Sequence, residues 1–393
     1  MMGLRFIDLF AGIGGFHLAF HQAGGTCVFA SEIDPHARES YERNFKGDTP
    51  SLFEANHFAG DITQVAYQHI PDFDVLCAGF PCQPFSICGQ KKGFEDTRGT
   101  LFFTICEIIQ AKQPAVVLLE NVKHLLHHDG GRTFQVILDS LASLGYHVRY
   151  EVLNAVHFGT PQNRERIIIM ATREVPFDFG SIVRHTRPTQ KTRLLDILEA
   201  QGEFDYLPPE TYTILESPTC QEQSGLIFAG YRNKNIRTKG TRPNTEHLSR
   251  VHKQPNRIYS VEGTHPTLPS QEVSGRFFIY YPHAAPEHAV RRLTLRECYR
   301  LMGYPDTFQI HERKSEAYKQ VGNSVCVPIV RALAEAITLH LSQLSQSPPS
   351  PIANTYASAF KPLPHFKRSV RPQSIFELIP EPALASMAKV HCS

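Results

Sequence analysis

The strongest restriction on how this chain folds is the alternation of short apolar runs with helical patterns along its first 180 residues. Residues 4–9, 26–30, 74–78, 115–119 and 166–171 are rich in Val, Ile, Leu and Phe, which predicts strands. Between them, residues 16–22, 35–44, 101–111 and 133–144 repeat apolar side chains at helical spacing. Near-continuous apolar strands are buried on both faces, and parallel neighbours need a crossover, usually a helix. The alternation therefore predicts an α/β fold, a parallel sheet covered by helices on both sides. Ligands bind such sheets outside the carboxyl ends of the strands, so the residues just after each run carry the most weight.

From about Ser181 the alternation stops, and the stretch to about His288 is irregular and rich in Thr, Pro, Asn and His. Within it, residues 231–257 hold eight Lys or Arg against one acid, Glu246, while the whole chain carries a formal net charge of only +2. Basic charge is thus concentrated locally, either as a solvated loop or as a surface for a polyanion. Order returns at 294–302, a helical pattern with Thr294 as N-cap, Glu297 completing a capping box and Gly303 closing the end. Residues 327–344 predict a long amphipathic helix, and the Pro/Ser-rich run after Ser345 predicts a poorly packed tail. A length of 393 residues suggests two domains, and 41% hydrophobic residues supply an ordinary core. Nine scattered cysteines suit a reducing compartment rather than a disulfide scaffold. The start MMGLRFIDLF turns acidic at Asp8 and predicts no signal peptide. Apolar runs such as 115–119 fall far short of the roughly 20 residues of a membrane span, so a cytosolic protein is expected.

The first run leads into Asp8-Leu9-Phe10-Ala11-Gly12-Ile13-Gly14-Gly15 and then a helical pattern. Glycines at a strand-to-helix turn let a ligand approach bare backbone, although a tight structural turn uses them too. A dinucleotide would want a small third residue where His17 stands, and its pyrophosphate would dislike the carboxylate of Asp8. S-adenosylmethionine carries a positive sulfonium and amino group, which Asp8 suits. Glu32, ending the second run, is placed for ribose hydroxyls, and Asp61, in Gly60-Asp61-Ile62, for the adenine amino group. Three acids at successive strand ends favour that cofactor.

The run at 74–78 ends in Gly79-Phe80-Pro81-Cys82-Gln83-Pro84, which holds a cysteine rigidly at the ligand edge. Cys77, Cys82 and Cys88 match no zinc spacing, so no metal site is expected. The next run ends in Glu120-Asn121-Val122, and Gln162-Asn163-Arg164-Glu165-Arg166 places two arginines before a buried-type strand.

These motifs, together with RRLTLRE and QVGNSV, occur in the order of the bacterial DNA cytosine-C5 methyltransferases, and the chain closely resembles that family over residues 4–172 and 291–341. The resemblance implies a Rossmann-like S-adenosylmethionine-dependent domain formed by 1–182 and 289–345, a smaller, irregular target-recognition domain at 183–288 and a tail at 346–393 without counterpart. It implies Cys82 as nucleophile in its Pro81 loop, Glu120 as the acid facing N3 of the base, Arg164 as the cation that favours the thiolate, Arg166 as a contact to O2, and Val122 against the flipped ring. Phe10, Gly12, Ile13, Gly14, Gly15, Glu32, Ile33, Asp61, Ile62, Asn323 and Ser324 would surround the cofactor; close relatives often carry Trp where this chain has Ile33. Gln90, Lys91 and Lys92 fall in the family's closing loop, where Cys88 replaces a wedge Ser and leaves Gln90 as the other candidate. Arg232, Lys234, Arg237, Lys239 and Arg257 would meet DNA phosphates, with Thr267 in the short Pro266-Thr267-Leu268 recognition match. The expected partner is double-stranded DNA, bound by a monomer whose cognate restriction endonuclease is functionally paired but not necessarily bound. A tRNA cytosine-C5 methyltransferase is the alternative sharing this pocket, and a nicotinamide-dependent oxidoreductase is disfavoured by Asp8, His17 and Cys82.

Overall fold

A computed structural model of the chain describes residues 3–81, 101–182, 192–222, 224–233, 256–270 and 277–346. The N-terminal part folds as β1 (Arg5–Leu9), α1 (Gly15–Gln22), β2 (Thr26–Ser31), α2 (Pro35–Phe45), α3 (Pro50–Glu54), β3 (Phe58–Ala59), β4 (Val75–Gly79), α4 (Leu101–Lys112), β5 (Val116–Val122), α5 (Arg132–Ser143), β6 (His147–Asn154), β7 (Gln162–Asn163) and β8 (Glu165–Thr172). Seven of these strands form one sheet in the order β3-β2-β1-β4-β5-β8-β6. The order reverses between β1 and β4, so their carboxyl ends open a crevice.

The sheet departs from the parallel expectation at one strand. β8 runs antiparallel to both β5 and β6. Only residues 155–164 connect β6 to β8, too short a link for a helical crossover, and a short link allows only an antiparallel return. β6 itself carries no apolar run: HVRYEVLN lies at the sheet margin with half of its residues exposed and one buried, which hides it from a search for buried strands.

Successive strand residues point to opposite faces and build two cores. Phe6, Cys77, Leu118 and Met170 pack with α1 residues Phe16 and Phe20 on one face, and Ile7, Leu76, Leu119 and Ile169 pack with Ile105 and Ile137 of α4 and α5 on the other. The first face is closed by the C-terminal helices α6 (Leu295–Arg300), α7 (Lys314–Asn323) and α8 (Val327–Gln346). Thr294 caps α6 with the expected box, accepting from the Glu297 N–H at 3.1 Å while Glu297 accepts from the Thr294 N–H at 2.8 Å. The stretch Lys314–Leu344 is apolar enough to cross a membrane, yet 56% of its window is buried within the protein, as in a core helix.

The stretch without period beyond Ser181 nevertheless carries strands. β9 (Tyr212–Gln221), β10 (Leu226–Arg232), β11 (Arg257–Ser260), β13 (Phe278–Tyr280) and β14 (Val290–Arg292) form a second sheet in the order β14-β13-β11-β10-β9. Its small core is Ile258, Phe278 and Val290. β14 belongs to this sheet although the sequence grouped 289–345 with the larger fold. β12 (His265–Pro266) instead pairs with β7 of the N-terminal part. Residues 347–393, most of the predicted tail, lie outside the described residues.

Candidate active site

The glycine turn follows β1 directly. Phe10 and Gly12 take left-handed backbone, with φ of 57° and 56°. Such a conformation is costly for Phe and persists only where surrounding structure imposes it. A Cβ at Gly12 would meet nothing within 4 Å, so its backbone faces open space. Gly15 is needed for the opposite reason: a Cβ there would lie 2.6 Å from Val325 and 3.0 Å from the Ser324 Oγ. The predicted C-terminal motif thus reaches the N-terminal turn. Ser324 Oγ meets the Tyr304 hydroxyl at 2.5 Å, and Asn323 is exposed beside it.

Glu32 accepts the Gly12 N–H at 2.7 Å and the Asp34 N–H at 2.8 Å, locking the second strand end to the turn. Asp61 caps a short turn by accepting the Thr63 N–H at 2.9 Å, with Ile62 buried behind it. Ile33 is 70% exposed, an apolar side chain left uncovered next to Glu32. Asp8 does not line this face. Its carboxyl is fully buried, accepts the His17 N–H at 3.3 Å and leaves Oδ1 unpartnered. Burial pushes it well above the usual carboxylate range, which fits a support for the turn rather than a contact for a cation. His17 is also structural, bonded to the Tyr41 hydroxyl at 2.7 Å and stacked on Phe45 at 4.0 Å.

The second half of the site lies at the ends of β4, β5 and β8. Register sets Val122 opposite Arg166, and Glu120 lies two residues back on the same face. Glu120 Oε1 sits 3.0 Å from Arg166 Nε, with both side chains 12–13% exposed. Burial raises the Glu120 pKa against the opposing pull of Arg166 and Arg164. Gly79 pairs with Glu120 across the strands and leads to Phe80 and the exposed Pro81. Asn121, buried, donates to the Phe80 carbonyl at 2.8 Å, fixing the approach to the cysteine loop relative to Glu120. Val122 is 40% exposed at the rim.

Arg164 is buried and donates to the carbonyls of Leu268 at 3.3 Å, Gly322 at 2.9 Å and Ser324 at 2.8 Å. Burial lowers its pKa, with Arg166 pushing the same way and Glu120 opposing. It therefore knits three distant segments at the floor of the site. Thr267 donates to the Asn163 carbonyl at 2.8 Å, so the short recognition match is sewn to the QNRER segment. Arg232 lies 4.7 Å from the Phe278 ring and Arg257 5.2 Å from the Phe228 ring. Cys82, Gln90, Lys91, Lys92, Lys234, Arg237 and Lys239 lie outside the described residues.

Asn121, Tyr304 and Arg38 have structural parts in the site that the sequence did not disclose. Asn121 stood inside a recognised motif without a role, whereas the other two had no motif at all. His36, Glu39 and His311 bring ligand-type atoms within 4.8 Å of one another. The Arg313 N–H donates to His311 Nδ1 at 3.0 Å, and His311 Nε2 lies 3.4 Å from Glu39.

A family model described as C-5 cytosine-specific DNA methylase matches residues 4–339. The chain is 40% identical over 346 residues to Type II methyltransferase M.HhaI of Haemophilus parahaemolyticus, covering 85% of this chain and 94% of that protein. It is 42% identical over 351 residues to Type II methyltransferase M.NlaX of Neisseria lactamica, covering 87% and 98%. Among solved structures, it is similar to a Dnmt2 methyltransferase of S. pombe, with a TM-score of 0.62 and 20% identity over 87% of this chain and 99% of that one. This last likeness concerns the fold.

Proposed function

This chain belongs to the C-5 cytosine-specific DNA methylase family and is a DNA cytosine-C5 methyltransferase; from that premise we propose that it methylates one specific cytosine of duplex DNA from S-adenosylmethionine, through a flipped base and a covalent cysteine adduct. The observation that carries the reading is the largely buried Glu120–Arg166 pair, set on adjoining strands beside the start of the cysteine loop. The glycine turn opens at the carboxyl end of the same sheet.

C5 of cytosine is a poor nucleophile until a thiolate adds to C6 and turns C5 into an enamine carbon. Cys82 supplies the thiolate, and its ionisation is favoured by nearby cationic charge. As the bond to C6 forms, negative charge moves toward N3, where protonated Glu120 donates. Arg166 orients Glu120 and reaches O2. The target base is stacked inside a duplex, so it swings out to meet these groups, with Val122 at the rim of the pocket. The turn's fit to an adenosine ligand rests on open backbone at Gly12, on Glu32 and Asp61 at neighbouring strand ends, and on the uncovered side chain of Ile33. Bound there, S-adenosylmethionine would supply an electrophilic methyl group on a positively charged sulfur, with S-adenosylhomocysteine as the neutral leaving group. A water then removes the C5 proton, and Cys82 leaves C6.

The enzyme acts as a cytoplasmic monomer, protecting DNA from a cognate restriction endonuclease. Mapping methylated cytosines in DNA from cells expressing the protein identifies the site. A duplex with 5-fluorocytosine at that position is expected to trap a stable adduct, because fluorine does not leave as a proton does. Cys82→Ser is expected to abolish methylation and the adduct while DNA binding survives. No adduct in the presence of the methyl donor overturns the covalent route, and transfer to tRNA in place of duplex DNA overturns the substrate.

A further inference from the structure

β3 is a two-residue strand at the margin of the large sheet, joined to β2 only through the pairs Ala30 with Phe58 and Ser31 with Ala59. Beyond that ladder, backbone bonds flank the junction from the Ala30 N–H to the His57 carbonyl at 2.9 Å and from the Glu32 N–H to the Ala59 carbonyl at 3.1 Å. So slight a junction must set the distance between Glu32, one residue past β2, and Asp61, two residues past β3. A long cation from α2 lies across it. Arg38 Nη1 donates to the Glu32 carbonyl at 3.1 Å and to the Ala59 carbonyl, Nη2 donates to the Phe58 carbonyl at 3.2 Å, and the guanidinium lies 4.2 Å from the Phe58 ring.

We infer that Arg38 is a positioning residue for the adenosine half of the donor site, a clamp that fixes the separation of Glu32 and Asp61. The inference rests on the donor reading given above. Each carboxylate is oriented locally, Glu32 by the Gly12 and Asp34 N–H groups and Asp61 by Thr63. What local bonds leave open is the spacing between the two strand ends, and a ligand that touches ribose with one carboxylate and adenine with the other depends on that spacing. A guanidinium suits the task because its planar fork reaches both strands at once while its face stacks on Phe58; an ammonium has neither the fork nor the face.

The test uses the full-length enzyme, with S-adenosylhomocysteine as calorimetric probe and steady-state kinetics in both substrates. Arg38→Met is expected to weaken the probe and raise the donor KM at least about tenfold, the scale of losing hydrogen bonds to a charged group. At saturating donor, kcat and the DNA KM should stay near wild type. Arg38→Lys should fall between, and it carries the test if Arg38→Met lacks a cooperative thermal transition. Arg43→Ala, on the same helix but paired with Glu39 at 2.7 Å, should change neither constant. Unchanged probe affinity in both Arg38 variants overturns the inference. So does a loss of kcat and DNA KM equal to the loss of donor binding, since a general structural defect produces that pattern. A wild-type enzyme that fails to bind the probe overturns the donor reading itself, and the clamp with it.

Discussion

The crevice edge of the large sheet and the five-stranded sheet hold their charges in opposite ways. At the edge, charged groups are tied down at short range: Glu32 to the Gly12 N–H, Asp61 to Thr63, Glu120 to Arg166. In the smaller sheet, cations rest on aromatic rings, with Arg232 and Arg292 4.7 and 5.3 Å from Phe278 and Arg257 5.2 Å from Phe228. Fixed short bonds present exact donors and acceptors to a small ligand. A guanidinium lying over a ring can still turn N–H groups toward a phosphate, whose contacts position without specifying. The two regions thus differ in tolerance: the edge should fail sharply on single changes, the small sheet by degrees.

Glu120→Gln is the sharpest way to break that contrast. The amide keeps the shape and one donor but cannot deliver a proton, so kcat should fall about 10²–10⁴-fold, the usual worth of a positioned acid. Burial holds the Glu120 pKa above that of an ordinary carboxyl, and in the proposed mechanism the protonated form is the active one. The rate should therefore fall as pH rises through this raised pKa, and the alkaline limb should vanish in Glu120→Gln. A variant with wild-type kcat and an unchanged pH profile removes Glu120 from the acid role.

The joint between the regions should respond in stability rather than chemistry. Arg291 of β14 and Glu297 of α6 are 1% and 0% exposed and meet at 2.7 and 2.9 Å, with Arg291 also donating to the Tyr281 hydroxyl at 2.6 Å. Glu297 accepts from the backbone of Thr294 and Glu199 as well, so one carboxylate anchors the small sheet to the helix cap. Arg291→Met strands that carboxylate and should cost about 3–5 kcal/mol in denaturant unfolding, whereas pairing it with Glu297→Leu should recover much of the loss. A single-variant cost near zero denies the pair its anchoring role.

How much of this the sequence disclosed follows the same division. The crevice edge was legible because its chemistry sits at the ends of apolar runs, where a glycine turn, Glu32 and Glu120 stand at readable offsets. β6 was missed because a marginal strand with wet faces has no apolar run, and the reversal of β8 because direction is set by the length of a connection rather than by composition. The small sheet was missed because β11, β13 and β14 are three or four residues long, too short for a period to emerge. Arg38, and the contacts of Arg164, could not be foreseen for a further reason. Their partners are backbone carbonyls, which every residue offers alike, so no residue type marks the far end of the contact.

Arg232 supplies the mildest and most discriminating test of the contrast. Its guanidinium is partly exposed and rests on Phe278, near the end of β10 where the basic segment begins. If it meets phosphate, Arg232→Ala should weaken duplex binding only a few-fold, about equally for target and unrelated sequences, and reduce the slope of log affinity against log salt by about one. The thermal transition should hold nearly steady, because a half-exposed ring contact of this kind contributes only about 0.5–1 kcal/mol. Donor affinity should not move, since β10 and the glycine turn belong to different sheets. A loss confined to the target sequence would instead make Arg232 a reader of base edges, and the smaller sheet would then share the intolerance of the crevice edge.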